Sequence, residues 1–275
     1  MWTNELLKNN AKECLKRYYW YAVLFTVLVG MVTGAVTGSI SGIMSFISQI
    51  IVAPISIAMG MGEAAVGETD ETAIAAIGTI GVVLGSIIVF TITYVLTLAI
   101  GIVCAAFVQM PFQTVGLNRY FMSGRYRQPL FDDILFAIKS KKYMKIVKVS
   151  FFYQLYIMLW SMLFVIPGII KSFEYFLVPY IISENPDIPK ERVFEISKKT
   201  MEGEKMNCFI LGLSFIGWYL LAMLATMMTF GLGAISIYFL TPYVSATFAE
   251  FYACMREKAL TNGYATKEEL IGFEN

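Results

Sequence analysis

Residues 149–183 read VSFFYQLYIMLWSMLFVIPGIIKSFEYFLVPYIIS. Apolar and aromatic side chains dominate the run, and no Asp, Glu, Lys or Arg occurs in it before Lys171. A bilayer core of roughly 30 Å takes about 20 apolar residues as helix, because each residue rises about 1.5 Å and every backbone amide must be satisfied within the segment. Pro167 removes a hydrogen-bond donor and Gly168 relaxes the backbone, so the run reads as two apolar helices turned at that dipeptide. They cover about 149–166 and about 169–183, the second being short.

The same reading applied outward finds apolar segments at about 18–50 and 77–108 on one side, and at about 207–230 and 232–255 on the other. An acidic connector, Glu63 to Glu71, joins the first two, and Gly231 with Gly233 turns the last pair. The expected fold is an all-α integral membrane protein with six transmembrane helices as three helical hairpins. The expected domain is single, 1–260, followed by a short cytoplasmic tail, 261–275. Residues 41–61 are apolar enough to form part of the first span, a re-entrant segment or a seventh span.

Composition agrees with this class. Of 275 residues 57% are apolar and only 15% charged, and the mean hydropathy is +0.66, which excludes an ordinary soluble domain. A net charge of +1 offers no basic excess for nucleic-acid phosphates. Histidine is absent, which removes the commonest general base and metal ligand near neutral pH.

Lys and Arg in short loops collect on the cytoplasmic side. With the amino terminus inside, 20 of the 21 basic residues fall on that side, and Lys171 is the exception. Seven spans would put the eight basic residues between Arg119 and Lys148 outside, so six spans with both termini cytoplasmic fit better. Lys8, Lys12, Lys16 and Arg17 ahead of the first span resemble a signal-peptide start, but that span is too long and lacks a small-residue cleavage site. Cys14, Cys104, Cys208 and Cys254 show no CxxC spacing and lie in or near the cytoplasmic half, where structural disulfides are not expected.

Amphipathic helices at about 2–17, 129–142 and 189–203 precede the three hairpins and are expected to lie in the cytoplasmic interface. In the first, Leu7, Ala11, Cys14, Leu15 and Tyr18 share a face. In the second, Phe131, Ile134, Leu135 and Ile138 do so, and in the third Val193, Ile196 and Thr200. Each hairpin returns through a proline followed by an aromatic, at Pro111-Phe112, Pro179-Tyr180 and Pro242-Tyr243. Three parallel units around an axis would explain this, and so would the general frequency of proline in membrane helices.

Gly30, Gly34, Gly38 and Gly42 form consecutive GxxxG steps, whose small residues let helices approach closely. Packing within the chain is favoured over a dimer interface. Lys171 and Glu174 sit three residues apart, share a helix face and can pair. Both lie within about 8 Å of the expected outer turn by helical rise, so an interfacial or structural role is favoured over a functional one. Glu250, about 9 Å inside Arg256 along the last span, reads as a carboxylate snorkelling to the cytoplasmic rim. The alternative is a buried partner such as the Tyr252 hydroxyl or a residue of another hairpin. Asp132 and Asp133 are adjacent and diverge on a helix, so capping is a better reading than paired acid–base chemistry. No phosphate loop occurs, and Gly38-Ser39-Ile40-Ser41-Gly42 puts isoleucine where a nucleophile elbow needs serine. Pro167, Gly168, Pro179 and Pro242 are the expected helix breaks.

The run Trp160 to Ser172, with Tyr175, Pro179-Tyr180-Ile181, Asn185-Pro186-Asp187-Ile188, Ser197 to Gly203, Leu213 to Trp218, Pro242-Tyr243 and Phe251-Tyr252, resembles the bacterial multi-pass membrane family catalogued as domain of unknown function 975. The resemblance covers nearly the whole chain. It implies a bacterial cytoplasmic-membrane protein but no activity, cofactor or catalytic residue.

The expectation is therefore a non-catalytic accessory, scaffold or sensor protein, with no catalytic, cofactor-binding or metal-binding residue. Its partners would be the lipid bilayer and a membrane protein or a second copy of itself. The alternative is a transporter or permease-like subunit with a small-molecule path between the hairpins, supported by the broken second hairpin and the span prolines. A lipid-modifying enzyme is the weakest reading, because only Glu174 and Lys171 are at hand for its chemistry.

Overall fold

In a computed structural model of the chain, the residues described are 2–36, 38, 39, 42, 46, 49, 72–229 and 232–273. Most of 41–61, the acidic connector 63–71 and Gly231 lie outside them, so the expectations made there do too. Every regular element among the described residues is helical. Five helical stretches are long and apolar enough to cross a membrane: Tyr19–Val36, Val83–Ser123, Tyr143–Leu163, Val165–Glu184 and Lys205–Met228. The chain divides into two compact units, Gly34–Cys104 and the combination of Met1–Thr33 with Ala105–Asn275.

The smaller unit is dominated by α3, Thr72–Cys104. Its 33 residues contain no charged side chain and correspond to about 50 Å of helix by rise, longer than a bilayer core needs. Leu84, Ile87, Ile88 and Phe90 are more than half exposed, as expected of a lipid-facing helix.

The larger unit begins with α1, Asn4–Lys16, whose start is capped by the Thr3 hydroxyl accepting from Leu6 N at 3.2 Å. Leu7, Ala11 and Leu15 recur at helical spacing and are buried, which turns the lysine stripe away from the core. After a two-residue turn, α2 covers Tyr19–Val36. The stretch Ala105–Gly116 is π-helical around Pro111, a widening of the helix that accommodates a residue with no N–H to donate. Gly116 then permits close approach, since a Cβ there would sit 2.5 Å from the Ile134 carbonyl oxygen. Next come α4, Leu117–Ser123, and two single turns, α5, Phe131–Ile134, and α6, Phe136–Lys139. One continuous amphipathic helix was expected at 129–142. The backbone instead breaks at Leu135 (ψ 0°), and Ile134 and Ala137 both reach the core.

The second hairpin is α7, Tyr143–Leu163, and α8, Val165–Glu174. The helix is interrupted at Phe164, which is extended (φ −158°, ψ 144°), and Pro167 sits in the first turn of α8. The break thus precedes the Pro167-Gly168 dipeptide, for a physical reason: a proline disrupts the turn on its N-terminal side, where it clashes with and cannot bond the carbonyl four residues back. Gly168 lets the two arms meet, because a Cβ there would lie 2.8 Å from Ser161 Cα.

A turn at 175–177 leads into α9, Val178–Glu184, with Pro179 in its opening turn, where a missing donor costs nothing. Then follow α10, Lys190–Met201, α11, Lys205–Leu213, α12, Ile216–Met228, a 3-10 turn Leu232–Ile235, and α13, Ser236–Thr261, with Pro242 inside it. α13 is not among the five candidate spans; from Pro242 to Ala259 its buried residues face the core, where it packs on α1, α4, α10 and α12. Gly263, at φ +69°, turns the chain back so that Ala265, Leu270 and Phe273 are buried.

Candidate functional site

The expected polar residues belong to a set of carboxylates buried in the larger unit, each held by cations of the same chain. Glu174, Glu184, Glu250 and Asp133 are all at most 5% exposed. Burying an unpaired carboxylate is costly, so the partners define what each can do.

Glu250 on α13 accepts from Arg125 Nε at 2.7 Å and from the Cys14 thiol at 3.8 Å. Burial, followed by the Glu250 charge, pushes the Cys14 thiol up from its ordinary value, which keeps it a protonated donor. Glu250 is therefore not a rim carboxylate reaching for water: Arg125, just beyond α4, comes to it. The Tyr252 hydroxyl points elsewhere, because residues two apart on a helix do not share a face. It donates to Glu184 Oε2 at 2.6 Å.

Glu184, the last residue of α9, is the most enclosed acid, and the sequence reading missed it. Besides Tyr252 it accepts from Arg256 Nε at 2.8 Å and from Gly272 N at 2.6 Å. Arg256 also donates to the Leu270 carbonyl at 2.7 Å, so this carboxylate fastens the C-terminal segment to α9 and α13. The usable signal was the spacing of Tyr252 and Arg256, four apart on one face of α13. Nearby, Arg119 donates to the Ser183 carbonyl at 2.8 Å and its guanidinium lies 3.9 Å from the Phe136 ring centroid.

Lys171 and Glu174 do pair, at 2.8 Å, and a second cation joins them: Lys205 Nζ lies 2.9 Å from Glu174 Oε2. The Glu174 carbonyl accepts from Ser197 of α10 at 2.8 Å, and the Lys171 ammonium sits 5.2 Å from the Trp160 ring centroid. The sequence reading put Lys171 and Glu174 beside an outer turn and Lys205 among the cytoplasmic cations. The ion pair places all three at one level.

Asp133 accepts from Leu130 N at 2.9 Å, as a helix cap, and from Arg127 at 2.6 Å. Along the glycine stripe, Gly30 lies against Tyr238, where an added Cβ would come within 2.7 Å of Cε1, whereas a Cβ at Gly34, Gly38 or Gly42 would meet nothing within 4 Å. Among the described residues, the close packing expected of the stripe is seen at Gly30.

These features define an all-helical protein with apolar helices able to cross a membrane and, in its larger unit, a set of buried ion-paired carboxylates. The chain belongs to the family described as Protein of unknown function (DUF975), whose match covers residues 1–259. Neither the curated proteins nor the solved structures contain a match to the chain.

Proposed function

We propose that the protein is a non-catalytic scaffold of the bacterial cytoplasmic membrane, with both termini on the cytoplasmic side and six apolar helical segments paired as three hairpins. The first and third hairpins cross the bilayer, and the second enters the cytoplasmic leaflet and returns. A hairpin that dips and returns keeps the same parity as two crossings, so the distribution of basic residues is equally well explained.

The observation that carries this reading is the Lys205–Glu174 ion pair together with the Ser197 hydrogen bond. Both tie Glu174 to α10 and α11. α10 carries Glu191, Glu195 and Lys199 with side chains 78%, 44% and 49% exposed, and such charges need water. Asp187, paired with Lys142 and with Lys145 at 2.9 Å, brings further exposed charge to the start of α7. From Lys171 back to Val165 the arm rises only about 9 Å, against about 15 Å for half a bilayer core. Around the tip, Met162, Leu163, Phe164, Val165 and Ile166 are all more than 60% exposed, a surface suited to acyl chains.

The ionisable groups at the base of the hairpins are occupied with one another. Paired charges of this kind fix which helix meets which. A rigid base with apolar anchors suits a protein that holds a membrane partner, either another membrane protein or a second copy of itself. Photoreactive side chains placed at the exposed Met144 and Met206 in native membranes test this. The expected result is a discrete protein adduct identified by mass spectrometry, and lipid adducts alone from both positions would contradict the scaffold reading.

A further inference from the structure

A cavity of about 610 Å³ lies between α1, the start of α2 and the α12–α13 hairpin, lined by Lys12, Lys16, Tyr19, Trp218, Phe239 and Tyr243 among others. A second cavity of about 350 Å³, lined by Leu221, Ala225 and Ser236, shares Trp218, Phe239 and Leu240 with the first. The two form one groove, cationic at its mouth and otherwise walled by apolar and aromatic side chains.

We propose that this groove holds one anionic phospholipid of the cytoplasmic leaflet, with its phosphate at Lys12 and Lys16 and an acyl chain running along α12 from Trp218 toward Ala225. The site goes beyond the scaffold reading and rests on one part of it, the cytoplasmic placement of α1.

Charge placement argues for the headgroup. Lys12 makes no ion pair with a carboxylate among the described residues, and its ammonium stands 5.7 Å from the Tyr243 ring centroid. Lys16 pairs with Glu13 of its own helix, where both side chains are about 70% exposed. Lys8 stands one turn before Lys12 on the same stripe and has its pKa lowered by burial and then by the Lys12 charge; Lys12 itself is a cation at the mouth that no carboxylate among the described residues offsets. Anionic headgroups of the cytoplasmic leaflet gather at such clusters of lysine near the membrane surface.

Shape argues for the chain. From Trp218 to Ala225 the helix rises about 10 Å, and the groove follows it along a hairpin whose outward residues, such as Leu224 and Met227, are more than half exposed. Trp218 lines both cavities and carries an indole N–H with no hydrogen-bond partner among the described residues, a donor of the kind that an ester carbonyl accepts from. The Tyr19 hydroxyl donates to the Phe239 carbonyl at 3.0 Å and braces the wall between α2 and α13. A free phosphate would leave the apolar length empty, and a neutral lipid would leave the lysines unmatched.

Native mass spectrometry of the full-length protein in detergent, titrated with phosphatidylglycerol, with phosphatidylcholine of the same chains and with inorganic phosphate, tests the site. One phosphatidylglycerol should bind per chain in preference to phosphatidylcholine, and inorganic phosphate should not displace it. Lys12→Gln with Lys16→Gln should weaken binding about tenfold. Leu221→Trp, which fills the groove and leaves the charges in place, should weaken it as well. Lys198→Gln with Lys199→Gln, removing equal charge from α10, should change nothing. Unfolding midpoints in neutral detergent should match the parent for all variants. Headgroup-blind binding, displacement by inorganic phosphate, or unchanged affinity in both groove variants would overturn the proposal.

Discussion

Lys205 Nζ lies 2.9 Å from Glu174 Oε2, joining the first residue of α11 to the last residue of α8. Lys171, held at 2.8 Å from the other carboxylate oxygen, completes a triad of two cations on one buried acid. The tip of the second hairpin projects only a short helical arm beyond this triad. The position of α8 against α11 is therefore fixed by a tertiary contact.

Removing the acid leaves two cations facing each other. Breaking a fully buried ion pair costs roughly 3–5 kcal/mol; because Lys171 and Lys205 keep 21% and 33% of their side chains exposed, Glu174→Ala should cost about 2 kcal/mol. Thermal unfolding in detergent measures it. Lys205→Met alone should cost less, because Lys171 still neutralises the acid.

The Glu184 cluster gives a graded series. Tyr252→Phe removes one hydrogen bond to a charged acceptor and should cost about 1.5 kcal/mol. Glu184→Ala removes the acceptor shared by Tyr252, Arg256 and Gly272, so it should cost more and release residues 264–273. Limited proteolysis should then cut the C-terminal segment of Glu184→Ala far faster than that of Tyr252→Phe.

Two glycines predict opposite signs. Gly168→Ala drives a methyl into Ser161 and should destabilise the hairpin by about 1–3 kcal/mol through overpacking. Gly217, inside α12, has nothing within 4 Å of an added Cβ, so Gly217→Ala should stabilise by up to about 1 kcal/mol through helix propensity. Unfolding midpoints of the two variants should move to opposite sides of the parent.

The C-terminal segment should respond to acid. Arg192 donates to Glu269 Oε1 at 2.7 Å, and that bond holds the Glu269 carboxyl below its ordinary value. A depressed folded-state pKa contributes stability above the unfolded value of about 4.3 and loses it as the pH falls through the folded one. Hydrogen-exchange protection of residues 264–273, taken relative to the intrinsic rate at each pH, should be high at neutral pH and fall below about pH 4. Arg192→Met should show the reduced protection already at neutral pH.

Much of the helical organisation is legible in the sequence because burial follows the helical period. Leu7, Ala11 and Leu15 on α1, and Val193, Ile196 and Thr200 on α10, are buried, as their spacing implies. The break at Leu135 leaves no such trace, since single turns are too short to show a period. Glu250 was visible as an isolated acid, but its partner Arg125 lies on the far side of the sequence in a turn with no pattern. Glu184 was hidden because it stands directly before Asn185-Pro186 and reads as the edge of a loop. The level of Lys171 and Glu174 was inferred by counting residues from a turn, a local measure that says nothing of which distant helix packs alongside.

The most direct test of the proposed arrangement is the accessibility of a cysteine at Phe164, the tip of the second hairpin, with Cys14, Cys104, Cys208 and Cys254 replaced by alanine. A membrane-impermeant maleimide applied from outside intact cells should leave Phe164→Cys unlabelled until the membrane is dissolved, while Glu68→Cys in the acidic connector reacts at once. Labelling of Phe164→Cys from outside at a rate comparable to Glu68→Cys would show that the hairpin crosses the bilayer and would contradict the account.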